Sequence, residues 1–217
     1  MKKLLIAIFI LSLCGTLFAT TPYSMKKVDN SGKNATLVVT YPVFQGKSEL
    51  IKVANKGIYD TIKYQIDRNK TFIEEYGDGE GYINTSYAII ARADNKIISV
   101  LWVGDWNAGG VHNDIIYTAT FGVINGKAKR LKINDIYSPE KAAEDIINAF
   151  KTNKGVSSIP QQYQDGELTV DAILNEENQE LLNSFIISDK YITFYRKEYE
   201  FGYGYEGASF IKLPFKI

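Results

Sequence analysis

The chain has 217 residues, with 25 Lys and Arg against 25 Asp and Glu, one histidine and one cysteine. A formal charge of zero with no concentrated run of Lys and Arg sets aside a nucleic-acid partner. A single cysteine excludes a disulfide within the chain, and a single histidine excludes two-histidine metal sites; no metal or cofactor is expected.

The first 19 residues read as a secretory signal peptide. Lys2 and Lys3 form a basic start, Leu4 to Leu13 is an unbroken apolar run, and Gly15-Thr16-Leu17-Phe18-Ala19 offers a cleavage site after Ala19. The run is shorter than the about 20 apolar residues that a spanning helix needs, so no membrane span is expected after cleavage. A second reading takes Leu11-Ser12-Leu13-Cys14-Gly15 as a lipobox that anchors the protein at a lipidated Cys14, although Leu13 stands where a small residue is preferred. Both readings place the protein outside the cytoplasm, secreted or periplasmic. Cleavage after Ala19 removes the only thiol, and with it any cysteine nucleophile.

Residues 20–35 are polar and read as a flexible leader. Leu37 to Phe44 predicts a strand, and Pro42 pushes it toward a sheet edge or a strand end. Ser48 to Asn69 predicts the first helix, because Ile51, Ala54, Ile58, Ile62 and Ile66 recur at three- and four-residue steps. Gly57 weakens its middle and moves the expected start toward Asn55. After the glycine-rich break Tyr76 to Gly81, Tyr82 to Ala93 and Lys96 to Val103 flank the turn residues Asp94-Asn95. Asp114 to Val123 and Ala128 to Ile133 then flank Asn125-Gly126, a hairpin dipeptide suited to positive φ. Ser138-Pro139 opens a second helix with an apolar face of Ala143, Ile146, Ile147 and Phe150, and a shorter helix follows from Val170 to Leu182 or Ser184. Tyr191 to Phe201 and Ser209 to Ile217 predict the last strands. The expected class is α+β with mainly antiparallel sheet: a central four-strand meander plus C-terminal strands, packed by two or three helices.

Three groups of residues could carry function. His112, in Gly109-Gly110-Val111-His112-Asn113-Asp114, is either a site residue or a clasp on the backbone of a tight strand connection. The clasp is preferred, since no Gly-x-Ser-x-Gly elbow accompanies it. Carboxylates cluster at Glu74, Glu75, Asp78 and Glu80, and again at Glu198, Glu200 and Glu206. Acidic turns are ordinarily just solvated, but the second group leaves open a carbohydrate hydrolase with paired carboxylates about 5 to 9 Å apart. The aromatics form the third group. Two-residue alternation places Tyr191, Tyr195, Tyr199, Phe201, Tyr203 and Tyr205 on one strand face, with Arg196, Glu198 and Glu200 opposite beside Ile192 and Phe194. Such a stripe either fills a core or stacks on sugar rings or a protein partner, and Trp102 and Trp106 could add to it.

Ile98-Ser99-Val100-Leu101-Trp102, followed by Gly109-Gly110-Val111-His112, resembles an "ISV…GGAH" signature. Phe185-Ile186-Ile187-Ser188-Asp189, then Phe194-Tyr195, Tyr199-Glu200, Gly207 and Leu213-Pro214-Phe215, resembles the C-terminal signature of the same family. This is the bacterial extracytoplasmic DUF3298 family of unknown function, which includes the C-terminal domain of the lysozyme-sensing anti-sigma factor RsiV. Tyr41-Pro42-Val43-Phe44 and the helix after it resemble the upstream module shared with the peptidoglycan deacetylase PdaC. The resemblance divides the chain into a PdaC-like module at 36–95 and an RsiV-like module at 96–217, with one continuous core as the alternative. Asn113 stands where the family has Gly, and Gly204 where it has an aromatic residue. The resemblance implies an α+β extracytoplasmic domain and, in one branch, surface binding of a lysozyme-like muramidase; it implies no catalytic site.

The combined expectation is an exported cell-envelope protein that binds a glycan or a protein without catalysis. Its candidate binding residues are Trp102, Trp106, His112, Asn113, Asp114, Tyr195, Tyr199, Tyr203 and Tyr205. The alternative is a xylanase-like hydrolase using Glu198, Glu200 and Glu206.

Overall fold

The computed structural model describes residues 21–31, 35–76, 82–108, 111–175, 179–196 and 208–216. Six strands form one sheet in chain order: β1 (Tyr23–Asp29), β2 (Ala35–Phe44), β3 (Tyr82–Ala93), β4 (Ile97–Ala108), β5 (Val111–Ile124) and β6 (Lys127–Arg130). From β3 to β6 this is the expected meander, antiparallel at every step. The β5–β6 turn is Asn125-Gly126, with φ of 51° and 76°.

The sheet departs from a purely antiparallel one at β2 and β3, which run parallel from Ala35↔Tyr82 to Val39↔Ser86. Parallel neighbours need a long crossover, and helix α1 (Glu49–Tyr76) supplies it. Pro42 lies past the last β2–β3 rung, where its missing N–H interrupts nothing. The expected flexible leader is corrected too: Tyr23 to Asp29 form β1, paired with β2. Nearly every side chain of β1 is exposed, so it has no apolar alternation by which to be recognised.

Helix α1 starts at Glu49 rather than near Asn55, because the Ser48 hydroxyl accepts the Ile51 N–H at 3.3 Å. Asn55 has a different task. Its side chain accepts the Phe44 N–H and donates to the Phe44 carbonyl, both at 2.9 Å, which fixes the helix to the end of β2.

Alternation along β4 and β5 divides the interior into two cores. Ile98, Val100, Trp102, Ala119 and Phe121 pack with Leu37, Val39, Ala54, Ile58 and Ile62 under α1. Ile97, on the other face of β4, joins a second core with Leu131, Ile133 and the C-terminal elements. Those elements are α2 (Pro139–Thr152), α3 (Gln161–Gln164), α4 (Val170–Leu174), α5 (Gln179–Asn183) and a three-stranded antiparallel sheet of β7 (Phe185–Ile187), β8 (Tyr191–Arg196) and β9 (Ser209–Pro214). Helix α2 is capped as expected, with Ser138 Oγ accepting the Lys141 N–H and Pro139 in the first turn. The single helix expected after Val170 is instead two short ones, since Asn175 leaves helical geometry at ψ 140°.

Candidate functional site

Two of the predicted groups come together through backbone pairing. The β4–β5 ladder runs from Ile97↔Gly122 to Ala108↔Val111, and its far end pairs Asp105↔Asp114, Trp106↔Asn113 and Asn107↔His112. His112 therefore sits on a strand rather than in a loop. Its Nε2 lies 3.3 Å from Asp105 Oδ1, a diagonal cross-strand contact with both side chains about 60% exposed. Asp114 turns toward the C-terminal sheet, where its carboxylate accepts the Ala208 N–H at 3.2 Å. Gly104 is required here by close approach, because a Cβ would lie 1.8 Å from the Thr85 carbonyl oxygen.

Trp102 is corrected from a binding residue to a core residue. It is 0% exposed, and its indole N–H donates to the Thr40 carbonyl at 3.0 Å. Thr40 lies just past the last β2–β3 rung, so the indole satisfies an acceptor the sheet no longer pairs. Trp106 is half-buried on the same sheet face near the ladder's end.

The small sheet divides its side chains as the alternation of β8 predicts. Ile192, Phe194 and Arg196 are buried, while Tyr191 and Tyr195 occupy the outer face. On that face Tyr191 is 37% exposed and Phe210 of β9 is 40% exposed. Tyr195 lies directly across from Phe210, with ring centroids 6.5 Å apart and planes tilted by 55°. Lys212 places its ammonium 4.2 Å from the Tyr191 ring centroid, within cation–π range. Desolvation raises the Tyr195 phenol pKa, so this side chain is neutral at ordinary pH. Behind the face, the 1%-exposed Arg196 donates from Nε to Ser209 Oγ at 2.8 Å. Ser209 follows Ala208, so one short run of backbone connects the aromatic face to Asp114. Tyr199, Tyr203, Tyr205, Glu198, Glu200 and Glu206 lie outside the described residues, as do Gly109, Gly110 and the signal segment.

The sequence reading missed a third feature. A cleft of about 450 Å³ is lined by Asp60, Thr61 and Tyr64 of α1, Tyr117 and Thr118 of β5, Arg130 of β6, and Glu180, Asn183 and Ser184 at α5. It exists because β6 stops at Arg130↔Phe121, leaving β5 without a strand partner on that side toward Thr118. Arg130 covers the gap by donating to the Thr118 carbonyl at 2.9 Å and, more weakly, to Thr61 Oγ1 at 3.4 Å. These residues come from four separated segments with no shared motif, so only the tertiary structure assembles them.

Among the described residues, no three His, Cys, Asp or Glu side chains cluster as metal ligands, and no helix is long and apolar enough to cross a membrane.

No family model matches the chain, and no curated protein matches it. Among the solved structures that share its architecture are two DUF3298 family proteins. The chain has the fold of DUF3298 proteins. One, from Bacteroides fragilis, is 15% identical with a TM-score of 0.51 over 90% of this chain and 91% of its own. The other, from Pseudomonas aeruginosa, is 9% identical with a TM-score of 0.52 over 89% of this chain and 91% of its own. At such identities the likeness establishes the fold alone.

Proposed function

We propose that the chain is an exported cell-envelope protein of the DUF3298 type that binds a glycan on the outer face of its small sheet, without catalysis. The observation that carries this reading is the arrangement of Tyr191, Tyr195 and Phe210 on adjacent strands, with Lys212 beside them. Flat, partly exposed rings backed by a rigid sheet suit the apolar face of a sugar, and the phenols supply polar edges. The β4–β5 end extends this surface through Asp114, which is bonded to the residue that precedes β9, and His112 on the same face; Trp106 and Asn113 lie on the opposite face of the ladder. Export is supported by the basic, apolar and small-residue pattern of the first 19 residues.

Binding is tested by co-sedimentation with insoluble peptidoglycan, chitin and xylan, with lysozyme tested separately by calorimetry. Saturable retention on one glycan, weakened three- to tenfold by Tyr195→Ala or Phe210→Ala, is the expected outcome, since an aromatic contact contributes about 0.5–1.5 kcal/mol beyond its area. Retention unchanged by both substitutions, or binding to lysozyme alone, would overturn the glycan reading. Sequencing the N-terminus of protein recovered from the envelope tests export: Thr20 supports cleavage by the ordinary peptidase, and a lipidated Cys14 supports anchoring.

A further inference from the structure

The cleft beside Arg130 shares no residue with the aromatic face and poses a separate question: why a guanidinium is fixed in an open cavity where, among the described residues, no carboxylate is bonded to it. Arg130 donates to two neutral oxygens, Thr118 O and Thr61 Oγ1. Neither acid lining the cleft pairs with it, and Asp60 is instead held by Lys56 at 2.5 Å. Arg130 is exposed as a residue, while the protein atoms around its guanidinium desolvate the cation enough to lower its pKa from the ordinary value. An arginine nonetheless keeps its charge at any physiological pH. A guanidinium has five N–H donors, so the two bonds fix its plane and leave the remaining donors for a ligand. A carboxylate matches that fork, and the bond is charge-assisted in a partly desolvated site.

The rest of the lining narrows the class. Tyr64, 60% exposed on α1, and Tyr117 on β5 line the cavity, as do Thr61, whose hydroxyl donates to the Gly57 carbonyl, and Asn183, whose amide oxygen accepts the Ile133 N–H. Rings together with short polar side chains suit a polyhydroxylated ring better than an aliphatic acid. Asp60 and Glu180 at the same cleft disfavour a doubly charged phosphate and accept hydroxyl donors instead. The volume of about 450 Å³ falls in the range of small-molecule sites.

We infer that this cleft binds an acidic saccharide, with Arg130 on the sugar carboxylate and Tyr64 and Tyr117 against the ring. The site stands apart from the aromatic face, so either assignment survives the failure of the other.

The test is calorimetric titration of the full secreted chain with digalacturonate, using the neutral disaccharide cellobiose and inorganic phosphate as comparators. Saturable binding of digalacturonate, absent for cellobiose, is expected. Arg130→Gln should weaken it at least tenfold and Arg130→Lys should fail to restore it, because an ammonium lacks the planar fork. Tyr64→Ala, at an exposed helix position where folding is not at risk, should weaken it severalfold. Absence of saturable binding, equal binding by Arg130→Gln with a native melting curve, or Arg130-dependent binding of phosphate as tight as that of digalacturonate would each overturn the assignment. Release of reducing ends from digalacturonate would overturn it as a binding subsite.

Discussion

Asp94 shows how a single turn residue can hold two strands in register. Its carboxylate accepts the Lys96 and Ile97 N–H groups, both at 2.7 Å, and the Arg92 Nε at 2.6 Å, while its own N–H donates to the Ile97 carbonyl at 2.9 Å. Desolvation by itself would raise the carboxyl pKa, but the backbone donors and Arg92 outweigh it and leave the group below its ordinary value of 3.8. A carboxyl whose folded pKa is depressed binds more protons unfolded than folded, so its stabilisation is complete above the unfolded value and is lost as pH falls through the folded one. Acid unfolding should therefore show a loss below about pH 4 that Asp94→Asn removes. At pH 7 that substitution is expected to cost about 1–2 kcal/mol, in line with hydrogen bonds to a charged group that keeps some solvent contact. Urea unfolding of both proteins between pH 3 and pH 7 measures it; parallel stability profiles for the two would show that the carboxylate is not the clasp.

At the scale of the element, α1 carries a glycine where propensity alone would place alanine. A Cβ on Gly57 would lie 2.4 Å from Cε1 and 2.7 Å from Cζ of Phe121, a ring that is 1% exposed and enclosed by the α1-side core. Removing the glycine would gain about 1 kcal/mol of helix propensity, yet overpacking a filled core costs about 1–3 kcal/mol. Gly57→Ala should accordingly be neutral to destabilising, and Phe121→Leu should make the same alanine stabilising; a double-mutant cycle by thermal unfolding reads that sign change. The glycine weakened the helix as read from sequence because its reason is a ring 64 positions away. Local signals were legible: Ser138-Pro139 opened a helix, Asn125-Gly126 turned a hairpin, and alternation in β8 put Tyr191 and Tyr195 on one face. Non-local outcomes were not. Alternation marks a half-buried strand without saying which neighbour it takes, so the parallel β2–β3 pair stayed hidden, and exposed β1 left no alternation at all. Trp102 shares a face with Ile98 and Val100, but its burial depends on where α1 lies over that face. Of the candidate site, Tyr191 and Tyr195 were readable because they lie on one strand, whereas Phe210 joins them only through the β8–β9 pairing and the Arg130 cleft draws on four separated segments.

At the scale of the whole molecule, the large and small sheets are joined through two buried hydroxyls. Ser99 Oγ accepts the Ile187 N–H at 2.9 Å, Thr120 Oγ1 donates to the Phe185 carbonyl at 3.1 Å, and the two hydroxyl oxygens are 2.8 Å apart. The proton positions follow from these partners. Thr120 has spent its only hydrogen on Phe185, so Ser99 must donate to Thr120, and every donor in the chain is used. Strand β7 is an edge strand of the small sheet, and this pair supplies the acceptor and donor that its outer side would otherwise lack. Since the aromatic face lies on β8 and β9, beyond β7, its position over the Asp114 end depends on this junction. Thr120→Val keeps the shape but strands the Ser99 hydroxyl and the Phe185 carbonyl together, which predicts a loss of about 2–4 kcal/mol. Ser99→Ala strands the Ile187 N–H and should cost about 1–3 kcal/mol. The double substitution should cost less than the sum, because the hydroxyl–hydroxyl bond is counted once in each single change. Amide hydrogen exchange at Ile187 gives the decisive readout: protection should fall sharply in Ser99→Ala while the β4–β5 ladder stays protected, and equal loss in both regions would mean that the two sheets do not separate at this junction.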